Sequence, residues 1–212
     1  MSDDTLREDM AFAYRLVPPP GEIDGVLILL HGSATDETVL IPFAREVAPS
    51  ALLVAVRGRI LQDGERRWFR RVTPTSFEQG SIRDEAAAFA GFVAELGTLH
   101  GFDPRQAVFV GYSNGANLIS SVMLLHPGLV ARAALLRAMP VLEDLPHANL
   151  AGTEVLVVAG ARDETYGPFA PSLVELLRSR GAEVAAFTVS AGHEFGAEDV
   201  RLVREWLRPR VA

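Results

Sequence analysis

The sequence contains no cysteine and no lysine. Without cysteine there is no disulfide, no thiolate nucleophile and no Cys-ligated metal. Without lysine, Schiff-base chemistry and a Ser-Lys dyad are excluded, and all 20 basic residues are arginine. Histidine is scarce: there are five, none at H-x-x-H or H-E-x-x-H spacing, so neither a metal site nor a cofactor is expected. No apolar run approaches the ~20 residues needed to cross a bilayer, so membrane insertion is not expected. The start, Met1-Ser2-Asp3-Asp4, is acidic and lacks the apolar stretch of a secretory signal, which makes the cytoplasm the expected location. Positive charge is outweighed by negative, with a net charge of −7, and this argues against a nucleic-acid partner.

What the chain does have is a large apolar fraction, 49% of 212 residues, enough for a sizeable core in one domain spanning 1–212. Short apolar runs at Val26–Leu30, Leu52–Val56, Ala107–Val110, Ala133–Leu136, Val155–Ala159 and Val184–Val189 read as buried strands. Amphipathic stretches near 37–48, 81–100, 114–126, 168–180 and 197–208 separate them. This alternation predicts an α/β fold, a mostly parallel central sheet with helices on both faces. Phe12–Val17 is expected to add an antiparallel edge strand. The stretch between Leu136 and Val155 is too short for a helical lid domain, so an open, shallow site is expected.

One pentapeptide stands out. Gly111-Tyr112-Ser113-Asn114-Gly115 is the G-x-S-x-G pattern of a nucleophile elbow, which exposes a serine on a tight strand-to-helix turn. With 18 glycines in the chain the pattern alone is weak, and its setting must carry it. The setting fits, because an apolar run precedes it and a helical pattern from 114 to 126 follows. His126-Pro127 then closes the helix, since a residue before proline disfavours the α region.

A serine nucleophile needs a base, and the base needs an orienting acid. Asp163 follows the strand Val155–Ala159, and His193 follows the strand Val184–Val189. The order Ser113…Asp163…His193 is that of α/β-hydrolases and not of chymotrypsin-like or subtilisin-like enzymes. The developing oxyanion needs backbone N–H donors. The amide of Asn114, just after the nucleophile, is one candidate, and that of Ser33, in the loop His31-Gly32-Ser33, is the other. His31 directly follows a buried strand and is expected to orient that loop.

Arg57, Arg59, Arg66, Arg67, Arg70 and Arg71 cluster around Trp68-Phe69. Two readings stand side by side. Either they form a basic rim for an anionic substrate, or they are a solvated set paired with Asp63, Glu65 and Glu78, and the second is preferred. Trp68, Phe69, Met139 and Tyr166 are the candidate substrate-binding residues.

The chain resembles the phospholipase/carboxylesterase family of α/β-hydrolases. The resemblance rests on Leu30-His31-Gly32, Gly111-Tyr112-Ser113-Asn114-Gly115, Asp163 and Gly192-His193-Glu194, and runs from about residue 12 to 208. It implies an α/β-hydrolase fold without a large lid and often dimeric, a catalytic triad of Ser113, Asp163 and His193, and an oxyanion hole at Ser33 and Asn114. The implied activity is that of a serine carboxylesterase on small, short-acyl esters, by way of an acyl-enzyme. Acyl thioesterase or lysophospholipase activity is the alternative, and a non-catalytic ligand receptor the remote one. The chain departs from the family in two loops. Ser33-Ala34-Thr35 stands where relatives often have Leu-Gly-Asp, and Arg137-Ala138-Met139-Pro140 stands where many have Ser-Gly.

Overall fold

The computed structural model describes residues 5–208. Seven strands form the central sheet. They are β1 (Tyr14–Val17), β2 (Val26–Leu30), β3 (Leu52–Val56), β8 (Val108–Tyr112), β9 (Arg132–Leu136), β10 (Glu154–Gly160) and β11 (Glu183–Val189). Between β3 and β8 the chain makes two small hairpins, β4 (Ile60–Gln62) with β5 (Glu65–Arg67) and β6 (Arg71–Thr73) with β7 (Ser76–Phe77). The helices are α1 (Ile41–Val47), α2 (Gln79–His100), α3 (Asn114–Leu125), α4 (Ala170–Ser179) and α5 (Ala197–Leu207).

The sheet order is β1-β3-β2-β8-β9-β10-β11. β1 is antiparallel to β3, and every other pairing in the sheet is parallel. The expected antiparallel edge strand is therefore present, with bounds Tyr14–Val17. This is an α/β-hydrolase fold without a large lid. The segment 137–153 has neither helix nor strand.

Strand periodicity explains why so many apolar residues occur in unbroken runs. Side chains alternate between the two faces, and both faces are covered. Ile28 and Leu30 of β2 enter one core, with α2 and α3 residues such as Phe89 and Ile119. Leu27 and Leu29 enter the other, with Phe43 of α1 and Val203 of α5. Each such side chain contributes about 1.5–3 kcal/mol of hydrophobic stabilisation on full burial. β11 departs from the expectation of a buried strand. As the sheet's edge it has one hydrogen-bonded neighbour, and Phe187 is 48% exposed. No helix among the described residues is long and apolar enough to cross a membrane.

This topology places the carboxyl ends of β2, β8, β10 and β11 on one edge of the sheet. In open α/β sheets that edge is where ligands bind.

Candidate active site

Ser113 joins β8 to α3 with φ 53° and ψ −117°, a left-handed conformation that costs a non-glycine residue energy. The flanking glycines make the turn possible. A Cβ on Gly111 would lie 2.6 Å from the backbone of Ala116, and one on Gly115 would lie 2.3 Å from the Leu30 carbonyl oxygen. The Ser113 amide donates to the Leu136 carbonyl at 2.8 Å, which ties the turn to the next strand.

Two loops meet this serine. The His193 Nε2 lies 2.9 Å from the Ser113 Oγ. The His193 Nδ1 lies 2.8 Å from the Asp163 Oδ2. The other Asp163 oxygen accepts from the amides of Thr165, at 3.1 Å, and Tyr166, at 3.0 Å. Burial pushes the Asp163 carboxyl up, but the Tyr166 amide and the His193 ring outweigh it, so its pKa lies below the ordinary value. Asp163 therefore stays ionised facing the imidazole. The His193 ring sits between two tyrosines, with ring centroids 5.4 Å from Tyr112 and 5.1 Å from Tyr166. Burial raises the Tyr112 pKa to about 12 and also raises that of Tyr166, so both phenols remain protonated at neutral pH.

The loop after β2 approaches from the other side. His31 is buried and orients this loop as the sequence implied. Its Nε2 accepts from the Gly58 amide at 2.9 Å, which leaves Nδ1 to donate to the Gly32 carbonyl at 2.6 Å. Burial lowers its pKa, in keeping with a neutral ring that both accepts and donates. Ser33 follows and lines a cavity of about 360 Å³ that also contains Ser113 and His193. Asn114 opens α3, where the amide has no carbonyl one turn back to bond. A larger concavity of about 1360 Å³ runs between α4 and β11, but neither Ser113 nor His193 lines it. The smaller cavity is the candidate site for that reason.

The structure divides the four expected substrate-binding residues. Tyr166 lines the cavity beside Ser113. Trp68 and Phe69 do not, because both are fully buried in the core, where Trp68 packs against Phe12 and Phe89. An indole whose one N–H finds a carbonyl is more stable in an apolar core than on a polar cavity wall. The Trp68 Nε1 donates to the His31 carbonyl at 2.8 Å, and its amide donates to the Asn114 Oδ1 at 2.7 Å. Trp68 thus pins together the two loops that bear Ser33 and Asn114. Met139 is also core, its amide held by the Asn117 side chain at 2.9 Å.

Sequence reasoning missed Arg137. It is fully buried with φ 54° and forms a two-point ion pair with Asp199, at 2.7 and 3.0 Å. Its remaining donors reach the carbonyls of Gly192, at 2.9 Å, and Glu194, at 2.8 Å, the two residues flanking His193. The one signal was an arginine placed directly after a buried strand, in a loop where the chain departs from its relatives. Among the described residues no group of three or more His, Asp or Glu is placed to hold a metal ion.

No protein-family model matches the sequence. Solved structures do. A carboxylesterase from Mesorhizobium loti is 55% identical, with a TM-score of 0.94 over 97% of this chain and 98% of that one. The Bacillus cereus carboxylesterase is 29% identical, with a TM-score of 0.87 over 92% of each chain. Among curated proteins, MhqD of Bacillus subtilis (strain 168) is 29% identical over 192 residues, which is 90% of this chain and 96% of that protein. Sequence, sheet order and near-complete overlap with the Mesorhizobium loti structure agree that this chain belongs to the phospholipase/carboxylesterase family of α/β-hydrolases.

Proposed function

We propose that the protein is a serine carboxylesterase that hydrolyses small, short-acyl esters through Ser113, His193 and Asp163. One observation carries this reading: an unbroken hydrogen-bonded relay, 2.9 Å from Ser113 to His193 and 2.8 Å from His193 to Asp163. These are the distances a nucleophile, its base and the base's orienting acid require. The carboxylesterases similar to this chain support hydrolysis of esters as the reaction class.

The proposed steps use these residues in turn. His193 Nε2 takes the Ser113 proton as Oγ attacks the ester carbonyl. Asp163 holds the Nδ1–H tautomer and stabilises the imidazolium. The amides of Ser33 and Asn114 receive the oxyanion. The intermediate collapses, the alcohol departs with the proton from His193, and the acyl group stays on Ser113. Water then attacks the acyl carbonyl, gives a proton to His193, and the acid leaves as Ser113 recovers its hydrogen. A cavity of about 360 Å³ lies near the small end of ligand sites, which favours short acyl groups over lysolipids.

A series of p-nitrophenyl esters of rising acyl length tests this. Turnover should fall beyond the shortest chains. Ser113→Ala should lower kcat by roughly 10⁴–10⁶-fold. A fluorophosphonate should label Ser113, which a ligand receptor would not permit. Wild-type turnover equal to that of Ser113→Ala would sink the reading.

A further inference from the structure

The six arginines between residues 57 and 71 are not equivalent in the fold. Arg57 binds Glu37 at 2.5 Å, Arg59 binds Glu85 at 2.7 Å, Arg70 faces Glu78 at 3.8 Å, and Arg67 binds Glu65. Arg71 forms no ion pair with a carboxylate among the described residues, yet it lines the cavity that contains Ser113. Arg66 is also unpaired but lies outside that lining.

The position of Arg71 is built. The Gln62 side chain accepts from the Arg71 amide at 2.9 Å and donates to its carbonyl at 2.8 Å, which locks the second hairpin against the first. Arg67 lies behind it, buried, with a Nε that finds no partner. Burial and then the like charge of Arg71 lower the Arg67 pKa, so the two guanidiniums lie close enough to repel each other. Both also act on the Tyr166 phenol, which lies beside Ser113. Glu65, which lines the same cavity, is paired with Arg67, which leaves Arg71 as the cavity-lining guanidinium without a carboxylate partner among the described residues.

Resting on the ester-hydrolase reading above, the geometry points to a substrate class: small esters that carry a free carboxylate, such as hemiesters of short dicarboxylic acids, with Arg71 as the anchor for that carboxylate. A guanidinium fork matches a carboxylate in two-point geometry. Arg71 and Ser113 line one cavity of about 360 Å³, so a short hemiester filling it would meet both. Of its lining residues, only Ala34 and Pro74 lack a polar side-chain group, which suits a charged substrate better than an aliphatic acyl chain.

Two esters of equal acyl length, ethyl pentanoate and monoethyl glutarate, isolate the carboxylate. Wild-type kcat/KM should favour monoethyl glutarate by roughly tenfold or more, the worth of one charge-assisted contact. Arg71→Gln should bring the ratio close to one, chiefly through KM, while Arg71→Lys should keep part of it. Raising the salt concentration should shrink the wild-type ratio, because the anchor is solvent-facing. Calorimetric binding of both esters to Ser113→Ala separates anchoring from chemistry. Tighter binding of monoethyl glutarate, lost in the Ser113→Ala/Arg71→Gln double variant, supports the anchor even if neither ester is turned over, an outcome that would overturn only the hydrolase reading. Equal binding of the two esters to Ser113→Ala, or a turnover ratio unchanged by Arg71→Gln, overturns the anchor and leaves the hydrolase reading standing.

Discussion

Two buried arginines show how differently one side chain can be used. Arg137 has each of its three nitrogens bonded, to Asp199 and to the carbonyls of Val158, Gly192 and Glu194, and the pair is sealed from water. Arg67 is nearly as buried, but its one acid partner, Glu65, is 45% exposed and its Nε has no partner. A saturated guanidinium can only hold structure in place, and what Arg137 holds is the loop bearing His193. An unsaturated one leaves a buried donor without a partner, here beside the like charge of Arg71. The first steadies the loop that carries His193, and the second lies behind Arg71, outside the cavity lining.

Breaking the first arrangement should have the largest effect. Arg137→Met leaves the Asp199 carboxylate buried without its partner and should cost about 3–5 kcal/mol in urea unfolding. It should also lower kcat, because Gly192 and Glu194 lose the donors that set the His193 ring. Arg137→Met/Asp199→Leu should recover much of the stability but not the activity. Full recovery of kcat in that double variant would show that Arg137 does not position His193.

Arg67→Met should cost far less, about 1 kcal/mol or below, since Glu65 can turn to water and a buried unpartnered Nε disappears. A loss as large as that of Arg137→Met would erase the distinction between the two arginines. Between these lies Trp68→Phe. It keeps the core ring but removes the donor to the His31 carbonyl, for about 1–3 kcal/mol of stability and a lower kcat at unchanged KM.

The smallest effect concerns acid. Burial pushes the Glu37 carboxyl up, but its bonds to Arg57 and Arg15 outweigh that, and its pKa lies below the ordinary value. Asp163 is lowered in the same direction. A carboxylate lowered on folding stabilises the protein fully above its unfolded pKa, and this stability is lost as pH falls through the folded one. Tm should therefore hold steady above about pH 5 and fall below it, and Glu37→Gln should flatten that fall. A slope identical to wild type would show that Glu37 is not coupled to folding.

The residues that converge at the elbow, Ser113, Asp163 and His193, were legible before the fold was known. Strand runs such as Val26–Leu30 are nearly uniform in apolar character because both faces of a parallel sheet are covered, and the residues that follow them land on one edge. The two hairpins were not legible. β5 reads Glu-Arg-Arg and β6 reads Arg-Val-Thr, strands too short and too charged to show any period. Trp68 and Phe69 follow β5, so their depth could not be read from their distance along the chain to β3. The arginines were divided correctly only in part. Glu65 and Glu78 do serve as partners, but Glu37 and Glu85 come from distant elements, and Asp63 pairs with none of the six.

The order of Ser113, Asp163 and His193, each just past an apolar run, and the glycines that permit the elbow are properties of local sequence. They follow from strand periodicity and the room a tight turn leaves for a Cβ. The satisfaction of each arginine is a property of packing. It depends on which carboxylates and carbonyls converge on one guanidinium, and for Arg137 they come from residues up to 62 positions away. Only the tertiary structure could decide that Arg137 is spent on the His193 loop, that Trp68 braces two loops from within the core, and that Arg71 lines the cavity of Ser113 without a carboxylate partner among the described residues.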